Sequence, residues 1–247
     1  MDLFGSDGSD DSDGEEVQRS EACGVLKFHS GTEDEMLRVV AAEAQRADAS
    51  ETLAVIDRFC RSRHWMMHVG DVKGAILRGA AARAAPGLWV ELGAYCGYSA
   101  VLLASQMQSG TLVSLDTEAR CCAWSRQLVE HAGLSEKVKV FQSSPDETAA
   151  EALAREVPSP RIQLLFVDHA KDRYLADLVA LEPYCAEGCV VVADNVLCFD
   201  GGASLKPYLE HVRDTSRYAS STLHEAPVEY SDGEPDGVEV SVFRGVT

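Results

Sequence analysis

Apolar residues along the chain follow two different periods. Between residues 33 and 81 they recur at the spacing of amphipathic helices, whereas from residue 88 short apolar runs alternate with helical patterns. Near-continuous apolar strands separated by helices are typical of a parallel sheet that is covered on both faces. The pattern therefore predicts an α/β protein in which N-terminal helices precede a doubly wound, mostly parallel sheet.

The individual elements follow from this change of period. Three leading helices are predicted, beginning at Glu33, after Ser50 as N-cap and after Gly70. Strands are predicted at 88–93, 111–116, 138–142, 162–168 and 188–195, with helices at 98–108, 118–132, 146–156 and 173–182. Two last runs, 218–224 and 238–243, flank a Gly/Asp/Pro-rich stretch and predict an antiparallel C-terminal hairpin. We expect a single domain over residues 33–247.

The charge of the chain is strongly negative, and part of it is local. The 247 residues have a formal net charge of −18, of which residues 1–21 contribute −7 through eight acids and one arginine. The remaining −11 disfavours binding to nucleic acid or to anionic lipid, since both need a basic face. Residues 1–20 hold few apolar side chains, so we expect a disordered acidic tail, and a role in binding partners stays open.

The sequence also indicates the compartment. There is no apolar run of the roughly 20 residues that span a bilayer, and the N-terminus is acidic, unlike a targeting peptide. Eight scattered cysteines include no CxxC pair, so we expect buried, reduced thiols without zinc. These features predict a cytoplasmic protein without membrane contact.

A glycine turn follows the first predicted strand, in the segment ELGAYCGYS at 91–99. Gly93 and Gly97 would let the backbone pass close to a ligand and would open a helix, whose free N–H groups suit a carboxylate. The missing middle glycine of GxGxxG disfavours a dinucleotide. A tight turn without a ligand is the alternative.

Asp116 ends the second predicted strand, about 20 residues after the glycine turn, where an acid suits a ribose diol. An N-cap for helix 118–132 is the alternative. The turn and the acid together indicate an adenosine-bearing ligand with a carboxylate, such as S-adenosylmethionine.

Hard oxygen donors end the fourth and fifth predicted strands. Asp168 ends the fourth, and Asp194 and Asn195 end the fifth. Two carboxylates and one amide at one rim suit Mg²⁺, although each acid alone could be a helix cap. Lys171 follows three residues after Asp168, and a lysine beside a divalent cation can serve as a general base. A surface lysine paired with Asp172 or Asp177 is the alternative.

Five segments of the chain resemble catechol O-methyltransferases in order and spacing. They are HWMMHVGDVKG (64–74), ELGAYCGYSAVLLA (91–104), FVDHAKDRYLAD (166–177), ADNV (193–196) and VEY (228–230). The resemblance covers about residues 38–245 and implies a class I, Rossmann-like methyltransferase fold with S-adenosylmethionine and Mg²⁺. It also implies a small catechol-type substrate and a monomer.

The resemblance assigns roles to individual residues. It implies Asp168, Asp194 and Asn195 as metal ligands, Lys171 as the base, and Glu229 as the acid that binds the second substrate hydroxyl. The cofactor residues are Val69, Glu91, Gly93, Tyr95, Ser99, Asp116, Ser144, Asp168 and His169. The substrate residues are Trp65, Met67, Asn195, Phe199 and Glu229.

The chain departs from the family at positions around these residues. Ala170 stands where the family has a tryptophan that lines the pocket, and Phe199 stands where it has a proline. His68 replaces an asparagine, Asp116 replaces a glutamate, and Pro145-Asp146 replaces a Ser-Gln pair near the adenine. We therefore expect the chemistry to persist and the pocket shape to differ.

Three functions are compatible with these features. The first is Mg²⁺-dependent methyl transfer from S-adenosylmethionine to one catechol hydroxyl. The second is a cation-dependent methyltransferase of the caffeoyl-coenzyme A type, which shares the Asp and Asp-Asn pattern. The third is a non-catalytic binding module, which the retained Asp168, Lys171, Asp194 and Asn195 disfavour.

Overall fold

The computed structural model of the chain describes residues 31–245. The acidic segment at residues 1–20 and Cys23 lie outside the described residues. Three helices come first: α1 (Thr32–Glu43), α2 (Ala49–Ser62) and α3 (Gly70–Ala81). The sheet elements follow as β1 (Gly87–Leu92), α4 (Tyr98–Gln106), β2 (Gly110–Asp116), α5 (Ala119–His131), β3 (Val138–Gln142), α6 (Ala149–Glu156), β4 (Ile162–Val167), α7 (Tyr174–Leu181), β5 (Cys185–Ala193), α8 (Cys198–Gly201), α9 (Lys206–Val212), β6 (Tyr218–Pro227) and β7 (Pro235–Phe243).

The seven strands form one sheet in the order β3-β2-β1-β4-β5-β7-β6. Strands β1 to β5 are parallel, and β7 pairs antiparallel with both β5 and β6. This confirms the predicted doubly wound sheet and its C-terminal hairpin. The chain winds from β1 outward to β3 and then returns to β4 on the other side of β1, so the direction reverses between β1 and β4.

Two apolar cores lie on opposite faces of the sheet, because alternate strand residues point to opposite sides. Trp89 and Leu164 belong to the core that packs under α1 to α5, whereas Val90 and Leu165 belong to the core under α6, α7 and α9. The parallel strands are therefore apolar on both faces, which explains their continuous apolar runs.

Some predicted boundaries are wrong. Asp48, not Ser50, caps α2, and its Oδ1 accepts a hydrogen bond from the Glu51 N–H at 2.8 Å. Thr148 caps α6 in a capping box with Glu151, so this helix begins later than residue 146. The helix predicted at 173–182 is preceded and followed by 3₁₀ turns at Lys171–Arg173 and Glu182–Tyr184.

The region after β5 differs most from the prediction. Helices α8 and α9 are absent from the predicted elements because they are short and the glycines at 201 and 202 separate them. Strand β6 extends to Pro227 and β7 begins at Pro235, so the hairpin connection begins and ends three residues before the predicted stretch Ser231–Gly237. The seven cysteines within residues 31–245 are unpaired, and five of them are buried, as expected for buried thiols.

Candidate active site

The carboxyl ends of the parallel strands meet at one edge of the sheet, and acidic residues stand at three of them. Asp116 ends β2, Asp168 follows β4 and Asp194 follows β5. The reversal of strand order between β1 and β4 opens a crevice at this edge, where open α/β sheets bind their ligands. The predicted strand-end residues therefore share one rim.

The glycine turn after β1 passes close to the end of β4. Gly93 has a φ of +96°, and a Cβ at this position would overlap the main-chain carbonyl of Asp168. Gly97 has a φ of +87°, and a Cβ there would lie 2.7 Å from the Ser125 hydroxyl. Both positions require glycine for conformation and for space.

Asp116 holds this turn in place. Its Oδ2 accepts a hydrogen bond from the Tyr95 N–H at 3.0 Å, and its Oδ1 accepts one from the Glu118 N–H at 2.9 Å. Burial raises the pKa of the Asp116 carboxyl, which these backbone donors oppose. The N-cap of α5 is Glu118 rather than Asp116. The contact of Asp116 with a ribose stays a prediction.

Glu91 is fully buried near the end of β1. Its carboxylate accepts a short hydrogen bond from the Ser114 hydroxyl. Its Oε1 has no hydrogen-bond partner within residues 31–245. Burial raises the pKa of Glu91 to about 7. A buried oxygen without a partner is costly, so this group is suited to a ligand donor.

The residues before α3 form a buried wall beside the glycine turn. Val69 is buried, and the His68 ring lies 5.2 Å from the Tyr95 ring and 5.3 Å from the Tyr98 ring. Burial lowers the pKa of His68 to about 3, so the ring is neutral at pH 7. Its Nε2 has no partner in the described part of the chain. The hydroxyl of Tyr95 donates to Glu33 of α1 at 3.0 Å.

Trp65 and Met67 are half-buried in the same segment. The indole Nε1 of Trp65 donates to the main-chain oxygen of Glu229 at 2.9 Å. The leading segment and the β6–β7 connection are thereby joined. Their predicted contacts with cofactor and substrate stay predictions.

His169 follows Asp168 at the end of β4. The His169 Nε2 lies 3.0 Å from Asp177 Oδ2, and its ring stacks on Tyr174 with a centroid distance of 5.2 Å. Burial lowers the pKa of His169, and its Nδ1 is buried without a partner in the chain from 31 to 245. Ser144 is exposed in the loop after β3, where its hydroxyl accepts from the Asp146 N–H at 3.3 Å.

Lys171 lies among the predicted metal donors. Its Nζ is 3.3 Å from Asp168 Oδ1 and 3.1 Å from Asn195 Oδ1, and it donates to the Tyr174 hydroxyl at 2.5 Å. The alternative pairing of Lys171 with Asp177 is wrong, because Asp177 contacts His169 and Arg173. Burial raises the pKa of Asp168, and the ammonium of Lys171 opposes that rise.

A second lysine, Lys73 of α3, contacts Asp194 and two further acids. Together with Lys171 and Asp168 these residues form one charged cluster. Its fully buried Nζ is 3.0 Å from Asp194 Oδ2 and 2.9 Å from both Glu229 Oε2 and Asp236 Oδ2. Burial opposes the charge of Lys73, but the three carboxylates together raise its pKa well above the usual range. Asp194 Oδ1 is buried and has no partner within the described residues.

The donor set fits a hard divalent cation by its chemistry. Within residues 31–245 no three His, Cys, Asp or Glu side chains are grouped as a metal centre. The candidate ligands are instead two carboxylates and the amide of Asn195. With every group in its ionised form, four carboxylates (Asp168, Asp194, Glu229 and Asp236) face two ammonium groups (Lys73 and Lys171), which gives the cluster a formal surplus charge of −2.

Two further predicted positions lie at this edge. Ala170 is exposed and precedes the 3₁₀ turn that begins at Lys171, and Phe199 lies within α8. Both are at the carboxyl edge of the sheet, as a role in the pocket rim requires.

Sequence reasoning missed Lys73, Asp236 and Tyr174. Lys73 has a readable signal, because it lies four residues before Leu77 on the apolar side of α3, where a charged residue needs a buried partner. Asp236 resembles an ordinary turn residue in its Gly/Asp/Pro-rich stretch. Tyr174 resembles an ordinary core residue.

Comparison with known proteins places this architecture in a class. The family model described as "Methyltransferase domain" matches residues 90–196. Among solved structures, the O-methyltransferase TomG from Streptomyces achromogenes, solved with SAM, has a TM-score of 0.64 at 19% identity, with 89% of this chain and 100% of that chain covered. The Bacillus cereus O-methyltransferase in complex with SAH has a TM-score of 0.58 at 20% identity, with 89% and 93% covered. The chain shares the fold of these O-methyltransferases.

Sequence relatives narrow the class to one family. Catechol O-methyltransferase B of Danio rerio is 35% identical over 213 residues, which cover 85% of this chain and 78% of the relative. Catechol O-methyltransferase of Bos taurus is 34% identical over 225 residues, which cover 90% and 80%. The chain therefore belongs to the catechol O-methyltransferase family and is a methyltransferase. Between residues 31 and 245, none of the helices has the length and apolar content of a membrane span.

Proposed function

We propose that this enzyme transfers a methyl group from S-adenosylmethionine to one hydroxyl of a catechol-type substrate and that it uses Mg²⁺. The observation that carries the proposal is the contact of Lys171 with Asp168 and Asn195 at the carboxyl edge of the sheet. This contact joins a candidate base to two of the candidate metal ligands.

Unpartnered polar atoms support a site for S-adenosylmethionine. Glu91 Oε1, His68 Nε2 and His169 Nδ1 are all buried and lack partners within residues 31–245. They lie on segments at the carboxyl edge near β1 and β4, where an adenosine-bearing ligand with an amino-acid end would supply donors and acceptors. The close passage of Gly93 over the end of β4 keeps side chains out of this crevice.

The charges support Mg²⁺ bound by Asp168, Asp194 and Asn195. A divalent cation would balance the surplus charge of −2 and would satisfy Asp194 Oδ1. When bound, Mg²⁺ would lower the pKa of a coordinated substrate hydroxyl.

Lys171 and Glu229 then have separate roles in the reaction. Lys171 lies beside two of these oxygens and would act as the base in its neutral amine form. That amine accepts the hydroxyl proton, the oxygen forms a bond to the methyl carbon, and the carbon–sulfur bond breaks to leave a thioether. Glu229 accepts a hydrogen bond from the other hydroxyl, which positions the nucleophile.

The acidic surface fits a small-molecule substrate better than nucleic acid. The cytoplasmic location, the monomeric state and the single domain over residues 33–247 stay predictions.

Methyl transfer from labelled S-adenosylmethionine tests the proposal. The substrates are catechol, phenol as a matched control without the second hydroxyl, and a caffeoyl-coenzyme A ester, each with Mg²⁺ or with excess EDTA. We expect turnover only for catechol with Mg²⁺. Full turnover in EDTA would remove the metal from the proposal, and preference for the ester would indicate the caffeoyl-coenzyme A type.

A further inference from the structure

Lys73 joins three segments of the active site that are far apart in the sequence. Its Nζ contacts Asp194 after β5, Glu229 in the β6–β7 connection and Asp236 at the start of β7, each within 3.0 Å. The side chain has no exposed surface. A buried ammonium costs several kcal/mol unless it is well paired, so this arrangement depends on all its partners.

We propose that Lys73 and Asp236 form a buried ion pair that positions the proposed metal ligands Asp194 and Asn195. The inference rests on the proposed function, because it assumes that these two residues bind Mg²⁺. Lys73 and Asp236 are positioning residues, since they act through the ligands.

Lys73 determines which oxygen of Asp194 is free. Lys73 binds Oδ2 of this carboxylate, and Oδ1 is left buried without a partner. A carboxylate can rotate so that either oxygen faces a given direction. The ion pair fixes Oδ2 toward α3 and so keeps Oδ1 available to another ligand.

Asp236 orients the amide of Asn195. Asp236 Oδ2 accepts from Lys73 Nζ at 2.9 Å and from Asn195 Nδ2 at 2.8 Å. Because Nδ2 is bound to Asp236, the Asn195 Oδ1 is directed to the opposite side, where it lies 3.1 Å from Lys171 Nζ. Asp236 thereby sets the orientation of the amide oxygen that would bind the metal.

Asp236 is itself well anchored. Its Oδ1 accepts from the Leu197 N–H at 3.3 Å, and its side chain is buried. Asn195 has a φ of +52°, in the left-handed region that asparagine adopts more readily than most residues. The backbone and the ion pair therefore define the position of the Asn195 side chain together.

The competing explanation is that the ion pair only stabilises the fold. The net charge of the cluster distinguishes this explanation from the positioning of metal ligands. Lys73→Met raises the surplus negative charge of the cluster, so electrostatic attraction alone would make Mg²⁺ bind more tightly. Loss of positioning makes Mg²⁺ bind more weakly. The double variant Lys73→Met/Asp236→Asn removes the pair at similar volume and leaves the surplus charge at −2, so it reports on positioning alone.

The experiment starts from the full chain in EDTA without substrate and measures its melting temperature as MgCl₂ is added. The variants are Lys73→Met, the double variant and Arg217→Met. Arg217 binds the buried carboxylate of Glu182 at 3.0 Å before β5, at the opposite edge of the sheet, and serves as the matched control. Catalytic turnover is not needed for this readout.

We expect the Mg²⁺ concentration at half-maximal stabilisation to rise about 10–100-fold in both Lys73 variants, as is typical when residues that orient metal ligands are lost. Arg217→Met should keep the wild-type midpoint. If Lys73→Met does not fold, the double variant decides the question, since it leaves two buried carboxylates without their counter-ion where Lys73→Met leaves three.

The outcomes distinguish a failure of this inference from a failure of the proposed function on which it rests. An unchanged or lower midpoint in the double variant, with a normal response of the wild type, overturns the role of Lys73 and Asp236 alone. Absence of any Mg²⁺ response in the wild type overturns the proposed metal and the inference with it.

Discussion

Two buried clusters of charged side chains lie at opposite ends of strand β5, and they differ in how completely their atoms are bonded. Before β5, both oxygens of Glu182 are paired. Oε1 lies 2.6 Å from His211 Nε2 and accepts from Tyr218 at 2.8 Å, and Oε2 accepts from Arg217 at 3.0 Å. After β5, Asp194 has one oxygen on Lys73 and one with no partner within the described residues.

The difference indicates different roles. A fully bonded carboxylate is complete as it stands and stabilises the fold. A cluster with surplus negative charge and an unbonded buried oxygen costs free energy, and such a cost is found where a ligand completes the site. The comparison therefore predicts that changes after β5 affect catalysis and changes before β5 affect stability.

The largest effect is expected for Asp168→Ala. Loss of this carboxylate removes a candidate metal ligand, and a catalytic metal contributes several kcal/mol, so turnover should fall to about the background rate. Steady-state methyl transfer to catechol at saturating Mg²⁺ measures it. Glu182→Gln is the control, and equal losses per folded molecule in both variants would show that the two clusters do not differ in role.

Lys171→Ala should reduce kcat by about 10²–10⁴-fold, the usual effect of a lost general base. The binding of S-adenosylmethionine, measured by calorimetry, should stay near the wild-type value because the cofactor does not carry the transferred proton. Rates across pH that equal those of the wild type would mean that Lys171 belongs with the structural charges rather than with the catalytic ones.

Ala170→Trp should change substrate preference rather than chemistry. Ala170 is exposed beside Lys171, and we propose that the space next to it accepts bulky catechol substituents. The ratio of kcat/KM for a small and a bulky catechol should shift by about 10–200-fold against the bulky one. A uniform change for both substrates would place this space outside the pocket.

The smallest effect concerns Glu91 and pH. Burial raises the pKa of Glu91 to about 7, so folding favours the protonated carboxyl. Its stabilising contribution is complete below the unfolded pKa of about 4.3 and is lost as the pH rises through about 7. Without cofactor, Glu91→Gln should therefore gain about 1–3 kcal/mol in unfolding free energy relative to wild type between pH 5 and 8.

Denaturant unfolding at several pH values measures this difference. Glu118→Gln, which removes an exposed acid at the same rim, is the control for the loss of a carboxylate. A difference between Glu91→Gln and wild type that does not change with pH would show that burial does not shift the titration of Glu91.

Much of the fold could be predicted because it depends on local pattern. The strands of the parallel sheet are apolar on both faces, so runs such as 162–168 stand out from their surroundings. Asp168 and Asp194 could be placed at one rim because the carboxyl ends of parallel strands meet there. Short helices such as α8 and α9 have too few turns for a period to show.

The partners of the site residues could not be predicted from the sequence. Lys73 and Asp236 meet across the fold. The place of Lys73 on the apolar side of α3 indicates a buried partner, but no local pattern identifies Asp236 as that partner. The same holds for Asp116, whose interaction with the Tyr95 backbone depends on how the glycine turn packs. Sequence pattern gives the donors, whereas three-dimensional packing decides which atoms remain free.

The position of Asp236 within the chain has a consequence for biosynthesis. Lys73 and Asp236 are separated by 163 positions, and the β6–β7 hairpin that carries Asp236 leaves the ribosome after β1 to β5. Until then β1 to β5 can pair, but the lysine has no complete set of counter-ions and α3 cannot bury it without cost. Docking of the hairpin completes the sheet edge and the charged cluster in one step, so the nascent enzyme acquires its ligand-binding geometry only after the hairpin has been synthesised.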